Sequence, residues 1–280
     1  MRESGDPARP AVVLIHGYPD SKLIWEPVAA ELARRLHVIA YDCRGAGASS
    51  APRGTAAYDF ERLGDDLGAV VEAAGSGKPV HLVGHDWGGL QGWEFATAHR
   101  FRGRLASFTA IAGPSLDQVV LGGEQLLRRG RLLPWLARLR RSWYIGVLLA
   151  PGGPELSWRV LPSGDRWRAQ LRRDGASLDG AWPASTVADE GVRGARLYRR
   201  NMPRRSLRPR RDAIAHVPVQ VIIPTRDRYI PPSYYDLAER FAPFGLRRLE
   251  VDGGHWLPRT HPLEVAGWIE KFVEGVERGF

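Results

Sequence analysis

Over the first 111 residues, short unbroken apolar runs alternate with amphipathic stretches. The runs at Ala11–Ile15 (AVVLI), His37–Tyr41 (HVIAY), 80–83 (VHLV) and Leu105–Ile111 predict buried parallel strands. Between the second and third, Phe60, Leu63, Leu67, Val70, Val71 and Ala74 recur at helical spacing and predict an amphipathic helix. After Asp212 the pattern resumes, with strands at 219–223 (VQVII) and Leu246–Val251. A closing helix follows, marked by Leu263, Ala266, Ile269, Phe272, Val273 and Val276. From Gly113 to Asp212 no strand-like run occurs. That stretch is rich in Arg, Leu and Trp, is broken by Pro and Gly, and predicts short helices.

Strand and helix in alternation predict an α/β fold, a mostly parallel sheet with helices on both faces. The core comprises residues 1–112 and 213–280, and residues 113–212 form an inserted helical cap rather than a second sequential domain. No internal repeat is visible. With little chain before Ala11, a β-hairpin there is expected to be absent or truncated. The sheet is then expected to have about six strands with His37–Tyr41 at an edge, which some other surface must cover because exposed edges invite pairing.

Composition narrows the class. At 280 residues, 44% hydrophobic and 25% charged, the chain can bury a large core. A single cysteine, Cys43, excludes a disulfide framework and a Cys-based zinc site, and fits a small buried residue at a strand end. The polar start followed by five apolar residues is neither a signal peptide nor a membrane span, so a cytoplasmic location is expected.

The net charge of +9 is unevenly placed: residues 113–212 hold 20 Arg, no Lys and 9 Asp or Glu, net +11, and the rest of the chain is net −2. Such a segment is either a solvated Arg-rich surface or a face for an anionic substrate, an acidic membrane surface or nucleic acid. No zinc-finger, RNA-recognition or helix-turn-helix signature accompanies it, so no nucleic-acid partner is expected.

The chemistry concentrates at Gly84-His85-Asp86-Trp87-Gly88-Gly89, between a predicted strand and a predicted helix. This is a G-x-nucleophile-x-G elbow with Asp in place of Ser. Glycines two before and two after the nucleophile let strand and helix approach, and the N–H of Trp87 then points at the reacting centre. Three further features support the elbow. His16-Gly17-Tyr18-Pro19 follows the first strand, from which the α/β-hydrolase fold supplies a second oxyanion N–H, here that of Tyr18. His16 is expected to order that loop through a hydrogen bond. Asp227 follows one late strand and His255 the next, giving the order nucleophile, acid, histidine that this fold uses.

Together HGYPD (16–20), YDCRGAGASS (41–50), GHDWGG (84–89), PTRDRYIPP (224–232) and GGHW (253–256) resemble the epoxide hydrolase and haloalkane dehalogenase branch of the α/β-hydrolase superfamily. An Asp nucleophile suits both. A Ser attacking an alkyl-type carbon would become an ether that water cannot readily cleave, whereas a carboxylate becomes an ester that activated water can hydrolyse. This argues against esterase, lipase and protease.

The two branches differ in how the leaving group is held. An opening epoxide needs a proton on its oxygen, and Ser142-Trp143-Tyr144 and the stretch around Tyr198 resemble the places where epoxide hydrolases carry their two lid tyrosines. The resemblance therefore implies that Tyr144 and Tyr198 donate the proton. The Asn that haloalkane dehalogenases have at the position of Tyr18 is missing, as is the Arg that fluoroacetate dehalogenases have at the position of Trp87.

The reading is a cofactor-free, metal-free epoxide hydrolase that makes vicinal diols from lipophilic epoxides and water, and a homodimer is compatible with it. A dehalogenase using the same Asp86 is the alternative. A binding module with a basic lid is a third reading, from another class. The lid is both aromatic and cationic, holding five of the ten Trp, which suggests substrates with a distant carboxylate. Two glycine-rich turns are structural. Gly45–Ser50 fits the D-x-R-G-x-G turn of the resemblance better than a dinucleotide loop, and Gly75-Ser76-Gly77-Lys78-Pro79 lacks the first glycine and the hydroxyl of a phosphate loop. His81, His85 and His99 show no metal-ligand pairing with carboxylates.

Overall fold

The computed structural model describes residues 1–75, 77–160 and 163–279. Among these residues a seven-stranded sheet forms from β1 (Arg2–Ser4), β2 (Ala11–Ile15), β3 (His37–Tyr41), β4 (Val80–His85), β5 (Leu105–Ile111), β6 (Val219–Pro224) and β7 (Leu246–Val251). Their spatial order is β1-β3-β2-β4-β5-β6-β7. All neighbours are parallel except β1 and β3, which pair antiparallel with Arg2 opposite Ala40 and Ser4 opposite Val38.

The expectation of six strands and an edge at His37–Tyr41 is therefore wrong: β1 covers that edge. Arg2-Glu3-Ser4 carries no apolar alternation, because a strand that only seals an edge pairs through its backbone and leaves its side chains in water. Gly5, at φ 84°, turns the chain back from it.

Strands β2 to β6 read as near-continuous apolar runs because both faces are covered. Val13 and Ile15 of β2 join one buried cluster with Phe60, Leu63 and Leu67 of α2 (Phe60–Ala73) and Trp93 and Phe95 of α3 (Trp87–Thr97). Val12 and Leu14 face the opposite cluster, with Trp25, Val28 and Leu32 from α1 (Glu26–Leu32) and its entering turn, and Val265, Ile269 and Val273 from the C-terminal helix Pro262–Glu277. The two-residue alternation along β2 thus divides the core into two layers.

Between β5 and β6 the described chain holds no strand. Its longer helices are α4 (Leu116–Arg128), α5 (Leu132–Arg141), α6 (Trp143–Leu149), α7 (Ser163–Arg173) and α8 (Val187–Leu207). The expectation of short helices fails for α8, which runs for 21 residues and holds Pro203 inside it. Gly191 and Gly194, which read as breakers, are sites of close packing there: a Cβ on Gly191 would collide with the Trp158 ring, and one on Gly194 would approach the Tyr18 ring. Leu197 and Tyr198 of α8 join the first core layer, whereas Leu171 and Trp182 join the second. The insertion therefore straddles the carboxyl ends of the strands. Ser76, in the turn weighed as a phosphate loop, lies outside the described residues.

Candidate active site

β4 passes into α3 through Asp86, whose φ of 52° and ψ of −120° form a conformation that side chains rarely adopt. The flanking glycines make this turn possible. A Cβ on Gly84 would fall on the Gly88 carbonyl, and one on Gly88 on the Ile15 carbonyl. The strained turn lifts the Asp86 carboxylate above the sheet. It also leaves Trp87 as the first residue of α3, whose N–H has no acceptor within the helix.

Three loops converge on that carboxylate. From the loop after β2, the Tyr18 N–H donates to Asp86 Oδ1 at 2.7 Å. His16 fixes this loop: its Nε2 accepts the Cys43 N–H at 2.9 Å and its Nδ1 donates to the Gly17 carbonyl at 2.9 Å. Burial lowers the His16 pKa, consistent with a neutral ring held in one tautomer. From the loop after β7, His255 Nε2 lies 3.5 Å from Asp86 Oδ2. Its Nδ1 donates to Asp227 Oδ2 at 2.7 Å. Asp227, after β6, is held in turn by the N–H groups of Tyr229 and Ile230, at 2.7 and 3.0 Å on Oδ1.

Burial alone would keep His255 neutral, but the carboxylates of Asp227 and Asp86 outweigh it and push its pKa up to about 10. Burial likewise opposes ionisation of Asp86. The His255 hydrogen bond and charge, the neighbouring His85 and the Tyr18 N–H reverse that effect and hold its pKa below the usual value. His85 behaves oppositely: burial, then the positive charge on His255, depress its pKa to about 4. It donates from Nε2 to the His255 carbonyl at 2.9 Å and so supports the loop as a neutral ring.

Above the carboxylate lies a cavity of about 770 Å³, mostly apolar, lined by Asp86, His255, Tyr18, Tyr144, Tyr198 and Trp256 among others. Tyr198 is buried on α8 and packs edge-to-face on Trp87 at 4.7 Å and on Tyr18 at 5.2 Å. Tyr144, on α6, meets Tyr198 at 6.4 Å and Tyr229 at 5.5 Å. Burial raises the pKa of both Tyr144 and Tyr198 well above the ordinary phenol value, so both keep their protons. Arg141, Arg166 and Arg228 stand among the lining residues.

The structure thus gathers Asp86, His255, Asp227, Tyr18, Trp87, Tyr144 and Tyr198 around one cavity or directly behind it, with His16 supporting from below. The sequence reading missed Trp158 and Tyr229, which also line the cavity, and Asp20. Asp20 is buried behind the site and accepts the indole N–H groups of Trp182 (2.7 Å) and Trp256 (3.1 Å), joining the insertion to the His255 loop. Burial raises its pKa to about 6. Its place in HGYPD and that of Trp256 in GGHW were the available signals. Among the described residues no group of three or more His, Cys, Asp or Glu could hold a metal ion, and no helix is long and apolar enough to cross a membrane.

A mostly parallel sheet with a carboxylate on its strand-to-helix elbow, beside a histidine and acid from later strands, has the layout of an α/β hydrolase. The chain belongs to the alpha/beta hydrolase fold family, which it matches over residues 10–262. It is 34% identical over 277 residues to the protein named probable oxidoreductase EphD in Mycobacterium tuberculosis and Mycobacterium bovis, covering 96% of this chain and 46% of that one. It therefore spans about half the length of those relatives. It is 29% identical over 306 residues to epoxide hydrolase A of Mycobacterium tuberculosis, covering 98% of this chain and 94% of that one. Among solved structures, a Bacillus megaterium epoxide hydrolase in complex with an inhibitor superposes with a TM-score of 0.77, at 23% identity and 98% and 95% coverage. That likeness is one of fold.

Proposed function

We propose that this chain is an epoxide hydrolase that opens a lipophilic epoxide through a covalent Asp86 ester and releases a vicinal diol. One observation carries the reading: a buried, ionised carboxylate on the elbow faces two protonated tyrosine hydroxyls across an apolar cavity. The name of the relative epoxide hydrolase A of Mycobacterium tuberculosis supports it. Asp86 Oδ1 is taken by the Tyr18 N–H, so Oδ2 is the attacking atom. It forms a C–O bond to the ring carbon while the ring C–O bond breaks, and the departing oxygen takes a proton from Tyr144 or Tyr198.

Esterification removes the Asp86 charge, one of the two that hold the His255 proton. His255 then gives up that proton more readily, passing it back to the tyrosinate left by ring opening, and can act as a base. It takes a proton from water, and the resulting hydroxide attacks the ester carbonyl. The N–H groups of Tyr18 and Trp87 stabilise the tetrahedral oxyanion, which collapses with loss of the alkoxide; the alkoxide takes the carboxyl proton, giving free diol and the restored Asp86 carboxylate. Asp227 keeps the His255 ring oriented. Arg141, Arg166 and Arg228 around the cavity favour substrates with a distant carboxylate, so an epoxy fatty acid should exceed its methyl ester in kcat/KM at low salt.

A panel of epoxides assayed for diol, with bromoalkanes assayed in parallel for halide, tests the reading. Diol without halide is the expected outcome. Halide release without diol would make the chain a dehalogenase, and neither product would favour a binding module.

A further inference from the structure

Helix α5 turns its apolar stripe toward water. Leu132, Leu136 and Leu139, with Trp143 just beyond, recur at spacings of four, three and four, which places them on one helical face. Such a stripe ordinarily packs on a core. Here these residues are 57%, 51%, 51% and 70% exposed, and Leu133 beside them is 80% exposed. No residue of α5 is buried. Leu127, near the end of α4, is a further exposed leucine. This is a cluster of large apolar side chains, and a contiguous exposed patch of that kind marks a binding face.

The charge around the patch is of one sign. Between Glu124 and Glu155 the sequence holds six Arg and no Asp or Glu. Arg128 pairs with Glu124 at 2.8 Å, and Arg138 donates to the Ser233 carbonyl at 2.7 Å. Arg129, Arg131 and Arg140 are exposed and, among the described residues, meet no carboxylate. A further relation ties the patch to the cavity. Trp143 and Leu156, the latter 58% exposed, both line it, so the exposed apolar surface continues into the cavity mouth.

We propose that this face of the insertion docks on an anionic lipid surface, with the α5 leucines and Trp143 among the acyl chains and the arginines on the phosphate headgroups. Charge complementarity selects the occupant. A second copy would bring the same arginines against these. Nucleic acid would satisfy the arginines and leave the leucine stripe in water. Lipid of negative charge meets both at once, as it does for basic amphipathic helices lying in a bilayer interface. The cavity mouth would then open toward the phase in which apolar molecules collect.

Sedimentation of the full chain with vesicles tests this. At about 0.1 M salt, vesicles containing phosphatidylglycerol should bind it roughly tenfold or more tightly than pure phosphatidylcholine vesicles, and added salt should weaken the binding. Leu133→Glu with Leu136→Glu, and separately Arg129→Glu with Arg140→Glu, should each weaken binding by roughly the same factor. None of these residues lines the cavity, so thermal midpoints should stay at the parent value.

Equal binding to both vesicle types, or variants that bind like the parent, would overturn the proposal. A dimer in velocity sedimentation that the leucine changes dissolve, with no vesicle binding, would assign the face to a second copy. Retention of mixed-sequence DNA lost only with the arginines would assign it to nucleic acid. The measurement reads no turnover, so its failure leaves the hydrolase reading standing, and the reverse also holds.

Discussion

The Tyr18 hydroxyl donates to the Gly191 carbonyl at 3.0 Å, so the residue whose N–H meets Asp86 also holds helix α8 of the insertion. The same hydroxyl accepts the Trp158 indole N–H at 2.6 Å. One side chain therefore links the floor of the site to two parts of its roof.

Tyr18→Phe should test that link. The main-chain N–H on Asp86 survives, but Gly191 and Trp158 lose a partner in a part-buried place. A stability loss of about 1–2 kcal/mol is expected from urea unfolding. In turnover the change should raise KM more than it lowers kcat, because the roof shifts and the oxyanion donor stays.

Gly191→Ala probes the same contact from α8. A Cβ there would collide with the Trp158 ring, which must then shift within the roof of the cavity. A loss of about 1–3 kcal/mol in unfolding free energy is expected. Because Trp158 lines the cavity, bulky epoxides should suffer a larger rise in KM than small ones. A variant with unchanged stability and unchanged selectivity would show that the contact is dispensable.

The charge coupling between Asp86 and His255 has its own signature. Removing one of the two carboxylates that hold the imidazolium proton should lower the His255 pKa, so Asp86→Asn is expected to titrate below the parent's value of about 10 in an NMR pH titration. The corresponding stability follows. A histidine raised above its unfolded value of 6.5 stabilises fully below that pH, and the contribution fades as the pH rises through about 10. In Asp86→Asn the fading should be complete at a lower pH. A His255 pKa unmoved by the substitution would uncouple the pair.

How far the sequence revealed all this depends on what each feature needs from its side chains. Strands β2 to β6 were legible because burial on both faces demands continuous apolar runs such as AVVLI and VQVII. The elbow was legible because Gly84 and Gly88 are forced by close approach. Asp227 and His255 stood out through chain order alone, since the sheet topology brings the ends of successive strands together.

What stayed hidden obeys other physics. The strand Arg2–Ser4 uses only its backbone, so no side-chain pattern marks it. The length of α8 was obscured because its glycines serve ring packing against Trp158 and Tyr18 rather than chain turning. The leucines of α5 have the spacing of a core stripe, and only the structure reveals that they face water.

The seam between core and insertion is held by a buried ion cluster. Asp117 of α4 is wholly buried, accepts the Arg210 N–H at 2.7 Å and its guanidinium at 2.9 and 3.0 Å, and lies 3.5 Å from Arg205. Glu94 of α3 meets Arg205 and Arg210, each at 2.8 Å. Asp117→Ala should take a buried acceptor from the Arg210 N–H and from its guanidinium, which keeps Glu94, and cost about 1–3 kcal/mol. Chemical unfolding measures it, and a loss under about 1 kcal/mol, the range of a surface pair, would show that the cluster is solvated.

The covalent route through Asp86 is tested most directly by intact-protein mass spectrometry on His255→Gln mixed with a good epoxide. Ring opening needs the carboxylate and the tyrosine hydroxyls, whereas ester hydrolysis needs a base. The variant should therefore accumulate, over minutes, an adduct whose added mass equals that of the substrate, on the peptide that carries Asp86. Asp86→Asn should form no early adduct, and Tyr144→Phe, made in the His255→Gln background, should slow the adduct's appearance. A His255→Gln protein that stays unmodified while the parent enzyme turns the same epoxide into diol would contradict the two-step mechanism.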